Sequence, residues 1–177
     1  MKRILIATVI GLATLSGCTG TAGDPKPAPT TGGGTPTSSS DSASGLKALK
    51  PCELLTQAEV TSLKLEYPGE PKKVAFSEGC DYKEAGSGGL RVGIRAQEGL
   101  KDLKLSGDKV TDAKIGKFEG KKVEGSSGSK DTCTAVIAVT ESATVEIISN
   151  ASLGSDDTAA ACDRMSKAAD LVAAKLP

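Results

Sequence analysis

The chain has 177 residues, enough for one domain of ordinary size with appended segments. Its 22 lysines and arginines balance 22 acidic residues, so it lacks the basic footprint of a nucleic-acid-binding protein. It contains no histidine and no tryptophan, which excludes a Ser-His or Cys-His catalytic relay and imidazole ligation of a metal.

The first segment has the features of an export signal. Lys2 and Arg3 precede a mainly apolar stretch, Ile4–Leu15, which is shorter than the roughly 20 residues needed to span a bilayer. The stretch ends in Leu-Ser-Gly followed by Cys18, which resembles the lipobox of bacterial lipoproteins. Residues 1–17 are therefore predicted to be a cleaved signal peptide, and Cys18 is predicted to carry two acyl chains that anchor the protein. An ordinary leader that happens to contain a cysteine is the alternative.

Residues 18–45 are predicted to be the lipidated cysteine and a flexible tether. Apart from Asp24, Lys26 and Asp41, positions 19–45 consist of Gly, Ser, Thr, Pro and Ala. Such a composition buries too little apolar surface to offset the entropy of ordering. A flexible chain of this length has an end-to-end distance of roughly 30 Å and a maximum reach of about 90 Å.

Residues 46–177 are predicted to be the globular domain, and its opening favours helical structure. Pro51–Leu55 fits a short helical turn. Thr56, with Glu59 three positions later, fits a capping box for a helix that ends near Leu63.

Alternation of apolar with polar or small residues predicts strands over most of residues 72–149. The stretch 112–124 is weaker and fits one or two strands. Arg91 and Arg95 share the outer face of one predicted strand; they are interpreted as solvated, with an anionic partner as the alternative. The strongest strands are marked by Leu90, Val92, Ile94 and Ala96, by Cys133, Ala135, Ile137 and Val139, and by Val145 and Ile147 on a hairpin partner.

The last segment predicts an amphipathic helix. Ser155, Asp156 and Asp157 supply an N-cap candidate and first-turn acids. Helix, several strands and helix together predict an α+β fold, with an antiparallel sheet packed against an N-terminal and a C-terminal helix. The apolar stripe of the last helix consists of Cys162, Met165, Ala169, Val172 and Leu176.

Four cysteines remain once Cys18 is assigned to the lipid: Cys52, Cys80, Cys133 and Cys162. In an exported domain an even set predicts two disulfides, and the rival four-thiolate metal site lacks the usual close spacing. Sequence spacing allows three pairings. The faces favour Cys133 with Cys162, because strand and helix each present their cysteine to the core, and Cys52 then pairs with Cys80.

A Ser-x-x-Lys motif, Ser127 to Lys130, matches the nucleophile motif of penicillin-binding proteins. Its flanks are rich in Gly and Ser and lead into a predicted strand, whereas the motif belongs at the start of a helix. No catalytic residue, cofactor or metal site is predicted from this sequence.

The segment Pro51–Val60 resembles the opening of the actinobacterial lipoproteins grouped as domain of unknown function 3558. In that family a cysteine is followed two residues later by an aromatic residue, usually tryptophan; here the pair is Cys80 and Tyr82. Cys133 and Cys162 also match, and the resemblance covers most of residues 50–176. It implies an extracytoplasmic lipoprotein without an agreed activity.

Two classes of function remain open. The first is a binding or interaction module on the extracytoplasmic face of the cell membrane, attached through its N-terminal lipid. Its partner would be an envelope protein or a small ligand, and no nucleic acid is expected. The alternative is an envelope hydrolase that uses Ser-Lys or carboxylate chemistry. The missing histidine favours the first.

Overall fold

The computed structural model describes residues 45–151 and 157–177. The predicted signal peptide, Cys18 and the predicted tether up to residue 44 lie outside these ranges. The described residues form seven strands: β1 (Glu70–Val74), β2 (Ser77–Lys83), β3 (Gly89–Arg95), β4 (Lys109–Ile115), β5 (Phe118–Glu124), β6 (Thr132–Thr140) and β7 (Ala143–Asn150).

The strands form one antiparallel sheet in the order β1-β2-β3-β7-β6-β5-β4. Two meanders, β1 to β3 and β4 to β7, therefore meet where β3 pairs with β7. The connection from β3 must cross three strands to reach β4 at the far edge. It passes over the outer face of the sheet, where Thr144 Oγ1 donates a hydrogen bond to the Glu98 carbonyl at 3.0 Å.

Short helical segments precede the sheet and one long helix follows it. Residues 45–48 form a helical turn, Pro51–Glu53 a 3-10 turn and α1 (Gln57–Ser62) a six-residue helix. The predicted capping box of α1 is present, because the Thr56 hydroxyl accepts from the Glu59 amide and the Glu59 carboxylate accepts from the Thr56 amide. Helix α2 (Thr158–Ala173) begins after Asp157, whose carboxylate accepts from the Ala160 amide at 3.0 Å.

The core lies between α2, the N-terminal segments and one face of the sheet. Cross-strand register places Val92, Ile147 and Ala135 in one row across the sheet, all of them fully buried. Met165 of α2 is also fully buried. The alternating pattern of the sequence thus marks the face that α2 covers.

The predicted α+β class is confirmed for its antiparallel sheet, C-terminal helix, short N-terminal helices and two disulfides. Helix α1 has close to its predicted extent, but its packing is weak, since Val60 is its one buried residue. The weak stretch 112–124 becomes two strands joined by a turn at Gly116, which has a φ of 58°. The candidate cap residues Ser155 and Asp156 lie outside the described residues.

The two ends of the domain are joined near α1. Lys175 donates to the Glu59 carboxylate at 2.5 Å and to the Leu54 carbonyl at 2.7 Å. Burial alone would raise the pKa of Glu59, but hydrogen bonds from Lys175 and Thr56 lower it below its ordinary value. The ion pair fixes the short N-terminal helix to the end of the chain.

Candidate functional site

The structure brings the four domain cysteines together in pairs. Cys52 is bonded to Cys80 with a Cα–Cα distance of 5.0 Å, and Cys133 is bonded to Cys162 with a Cα–Cα distance of 4.9 Å. These are the pairs that the sequence favoured, because the predicted strand and the predicted last helix both present their cysteine to the core. The first bridge joins the opening 3-10 turn to β2, and the second joins β6 to α2. Cys18 lies outside the described residues.

The Ser-x-x-Lys segment has no helical geometry that would align its two side chains. Ser127 lies in a 3-10 turn, Ser126–Gly128, with a φ of 57°, and is exposed. Lys130 is also exposed and follows that turn as the chain enters β6. The motif requires serine and lysine one helical turn apart on a helix, which is not the arrangement found here.

Arg91 and Arg95 do lie on the outer face of β3, but their guanidinium groups are paired within the protein. Arg91 donates to Asp81 at 2.6 Å, and its side chain is 13% exposed. Arg95 contacts Glu98 at 2.5 Å and Glu146 at 2.9 Å. The interpretation of these arginines as a solvated face is therefore wrong. Both guanidinium groups form ion pairs with neighbouring carboxylates, and little of either side chain is exposed.

A cleft of about 630 Å³ opens at the end of the sheet where β1 ends and β2 begins. Its volume falls within the range of about 300–1,000 Å³ usual for small-molecule sites. The N-terminal residues 46–49 form one side, and the turn between β1 and β2 forms the other. Its apolar lining consists of Leu46, Leu49, Phe76, Ile94 and Ala96.

The floor of the cleft is an open end of the hydrophobic core. Ile94 is 5% exposed and Leu46 is fully buried, and both belong to the core cluster. Phe76 at the rim is 76% exposed, an unusual exposure for a large aromatic side chain. A ligand that entered would therefore contact apolar surface continuous with the core.

Charged groups stand around this apolar floor. Lys73 and Glu78 face each other across β1 and β2, with a Nζ–Oε1 distance of 3.4 Å. Lys47, Gln97 and Glu98 complete the polar lining. A cleft with an apolar floor and both signs of charge at its mouth suits an amphipathic ligand.

A hydrogen-bonded network on the outer face of the sheet fixes the position of Glu98, which lines the cleft. Glu146 accepts from Ser77 at 2.8 Å and from Arg95 at 2.9 Å, and Arg95 also holds Glu98. Burial alone would lower the pKa of Arg95, but the hydrogen bonds to Glu98 and Glu146 raise it above its ordinary value. The network needs Gly93, since a Cβ there would lie 2.5 Å from the Ser77 hydroxyl and 2.6 Å from Glu146.

The turn between β1 and β2 also departs from ordinary backbone geometry. Ala75 has a φ of 50°, in the left-handed region that favours glycine. The turn holds Phe76 away from the sheet, at the rim of the cleft.

A second cavity, of about 160 Å³, lies between α2 and strands β4 to β6. It is smaller than usual ligand sites, and Lys122 spans it with a hydrogen bond to Ser166 at 2.7 Å. Within residues 45–151 and 157–177, no group of three or more acidic or cysteine side chains could hold a metal ion. None of the helices described here is long and apolar enough to cross a membrane.

The sequence did not reveal the cleft, because its lining comes from three separate parts of the chain, residues 46–49, 73–78 and 94–98. Phe76 stands out in the sequence as one of two phenylalanines. Its neighbours Lys73, Val74 and Ala75 carry no alternation that would indicate a strand or a site. Exposure of this side chain is visible only in the structure.

The family model described as protein of unknown function DUF3558 matches residues 13–175. No curated protein and no solved structure matches the chain.

Proposed function

The chain belongs to the DUF3558 family, and on that premise we propose that it is an extracytoplasmic binding module attached to the cell membrane through a lipid on Cys18. The cleft at the end of the sheet is its ligand site. The ligand is an amphipathic small molecule or a peptide end, with an apolar part on Ile94 and Ala96 and a polar part at the mouth.

The observation that carries this proposal is the cleft itself. It joins a concave apolar surface to convergent charged groups, the combination typical of ligand sites. The disulfide Cys52–Cys80 supports this region by joining the N-terminal segment to the sheet. Arg95 supports the opposite wall through Glu98.

The features of the N-terminal sequence support the anchored location. A charged start, a short apolar stretch and a cysteine after two small residues agree on lipidation. Two acyl chains on Cys18 meet the requirement for stable attachment, which a single chain does not. The domain would then act at the membrane surface as a sensor, a carrier or a subunit of an envelope complex.

The hydrolase alternative receives no comparable support. Its best motif places Ser127 and Lys130 in an exposed turn, without the helix that such chemistry uses. We therefore propose that the protein binds rather than turns over its ligand.

The test uses the amphipathic dye anilinonaphthalene sulfonate as a probe of the cleft. The full chain is expected to bind the dye saturably, with enhanced emission, because the floor is apolar and the mouth carries lysines. Ala96→Phe fills the half-buried floor and should abolish this binding. Val110→Phe is the matched control, since Val110 is 43% exposed on β4 at the opposite edge of the sheet.

Equal dye binding by the parent chain and Ala96→Phe would refute the cleft as the site. Circular dichroism of each variant establishes that it is folded. An extract of membrane lipids and small metabolites, added in competition, then identifies the fraction that displaces the dye.

A further inference from the structure

The turn between β1 and β2 presents exposed apolar side chains that the fold does not use. Val74 is 47% exposed and Phe76 is 76% exposed, with Ala75 between them. These two are among the four large hydrophobic residues found exposed within the described residues. We call the segment Val74–Phe76 the apolar tip.

The apolar tip lies at the same end of the domain as the start of the described chain. Phe76 lines one side of the cleft, and Leu46 and Lys47 line the other. The predicted tether therefore joins the domain close to this tip. With the attachment point at this end, the domain can present the tip to the membrane and the tether does not have to cross the sheet to reach its anchor.

We propose that the apolar tip inserts into the membrane interface, with Phe76 among the lipid headgroups and upper acyl chains. The inference rests on the proposed anchoring through Cys18. Segments that bind at the membrane interface bury Phe, Trp and Leu side chains at the boundary between headgroups and acyl chains.

Lysines stand directly behind the tip. Lys72 and Lys73 precede it on β1, with side chains that are 63% and 68% exposed, and Lys47 lies across the cleft. Asp81 contacts Lys72 at 3.6 Å and Glu78 contacts Lys73 at 3.4 Å. Glu98 lines the cleft together with Lys47, so three lysines stand with three carboxylates and the surface around the tip is close to neutral. The lysines can still reach headgroup phosphates, but the apolar side chains and the nearby tether carry the argument for insertion.

A membrane fits this surface better than a protein partner does. Stable protein interfaces bury about 1,200–2,000 Å² in total, whereas the apolar tip comprises three residues. A free domain that inserted so few side chains would bind the membrane only weakly. A lipid anchor makes the contact intramolecular, at an effective concentration on the order of millimolar for short flexible linkers, so a weak contact becomes occupied.

The test places a single tryptophan in the full lipidated chain, which has no other. Phe76→Trp reports from the apolar tip, and Val110→Trp reports from an exposed position on the opposite edge strand. Each protein is reconstituted into vesicles of phosphatidylcholine with a minor share of phosphatidylglycerol. Parallel vesicles carry bromine atoms on their acyl chains, which quench tryptophan on contact.

Phe76→Trp is expected to show blue-shifted emission and to lose most of it in brominated vesicles, while Val110→Trp keeps its emission. Val74→Trp is a second reporter and should also be quenched. Equal emission of Phe76→Trp in brominated and plain vesicles would overturn the insertion, as would quenching only after envelope proteins are added. If the chain does not float with vesicles at all, the proposed anchoring fails instead.

Discussion

Removal of the Cys133–Cys162 bridge should be among the most destabilising changes in this domain. The bridge closes a loop with a sequence separation of 29 residues. In the chain-entropy model, loss of such a cross-link costs about 3.6 kcal/mol at room temperature through the unfolded state. This is a large fraction of the ~5–15 kcal/mol that stabilises a typical domain.

Burial decides how the replacement should be made. Cys133 is fully buried on the core face of β6. Cys133→Ala with Cys162→Ala removes the cross-link and leaves apolar methyl groups in its place. Replacement of both cysteines by serine would also bury a hydroxyl at position 133. Where that hydroxyl has no hydrogen-bond partner, the serine variant should be less stable than the alanine variant by about 1–3 kcal/mol. The single variant Cys133→Ser already loses the cross-link, so the double serine variant should be no less stable than the single one.

Equilibrium unfolding in urea, followed by far-ultraviolet circular dichroism, measures these differences. The matched control is the pair Cys52→Ala with Cys80→Ala, because its loop has a sequence separation of 28 and the same expected entropic cost. A loss below about 1 kcal/mol for Cys133→Ala with Cys162→Ala would refute the chain-entropy reasoning. A large inequality between the two alanine pairs would instead indicate packing in the folded state as the main contribution.

Three further outcomes are expected. Cys18→Ala should leave the protein unanchored or unprocessed, as phase partitioning into detergent and intact mass will show; full partitioning of this variant would contradict lipidation. Glu59→Gln should destabilise the domain at neutral pH, because Lys175 holds the pKa of Glu59 below its ordinary value. That stabilisation is present above the unfolded pKa and is lost as pH falls through the folded pKa, so the two proteins should have similar urea midpoints in strong acid. Burial, with smaller effects of Tyr67 and Glu59, raises the pKa of Tyr82 to about 12. Since folding favours the neutral phenol, stability should fall as pH rises from about 10, the ordinary tyrosine pKa, toward that value. An alkaline absorbance titration of Tyr67→Phe, which leaves Tyr82 as its one tyrosine, will follow this ionisation; titration at the ordinary value in the folded protein would contradict the effect of burial.

The successful predictions concern elements whose signals are local. The capping box of α1 needs only Thr56 and Glu59 at the right spacing. The strand positions of Val92 and Ile147 follow from alternation, because a half-buried strand must place every second side chain in the core. The cysteine pairing followed from combining two such local results, one face of β6 and one stripe of α2.

Edge strand β1 carries no such signal. It contains Pro71 and two lysines, and all five of its residues are exposed. Proline and lysine are common on edge strands because they discourage pairing with another chain. The feature that protects the edge thus removes the apolar alternation by which a strand is recognised. The sheet order was equally hidden, since the long crossing from β3 to β4 depends on contacts between distant parts of the chain.

The cleft depends on residues that never touch it. Gly79 and Gly93 lie opposite each other on β2 and β3, where glycine ordinarily weakens a strand. A Cβ at Gly79 would lie 2.5 Å from the guanidinium carbon of Arg91, and one at Gly93 would strike the Ser77–Glu146 pair. The two glycines therefore leave room on the outer face of the sheet for the side chains of Arg91 and Glu146. Glu146 in turn holds Arg95, and Arg95 holds Glu98. A glycine that strand preference disfavours, Gly93, thus helps to shape the lining of the cleft at the end of the sheet.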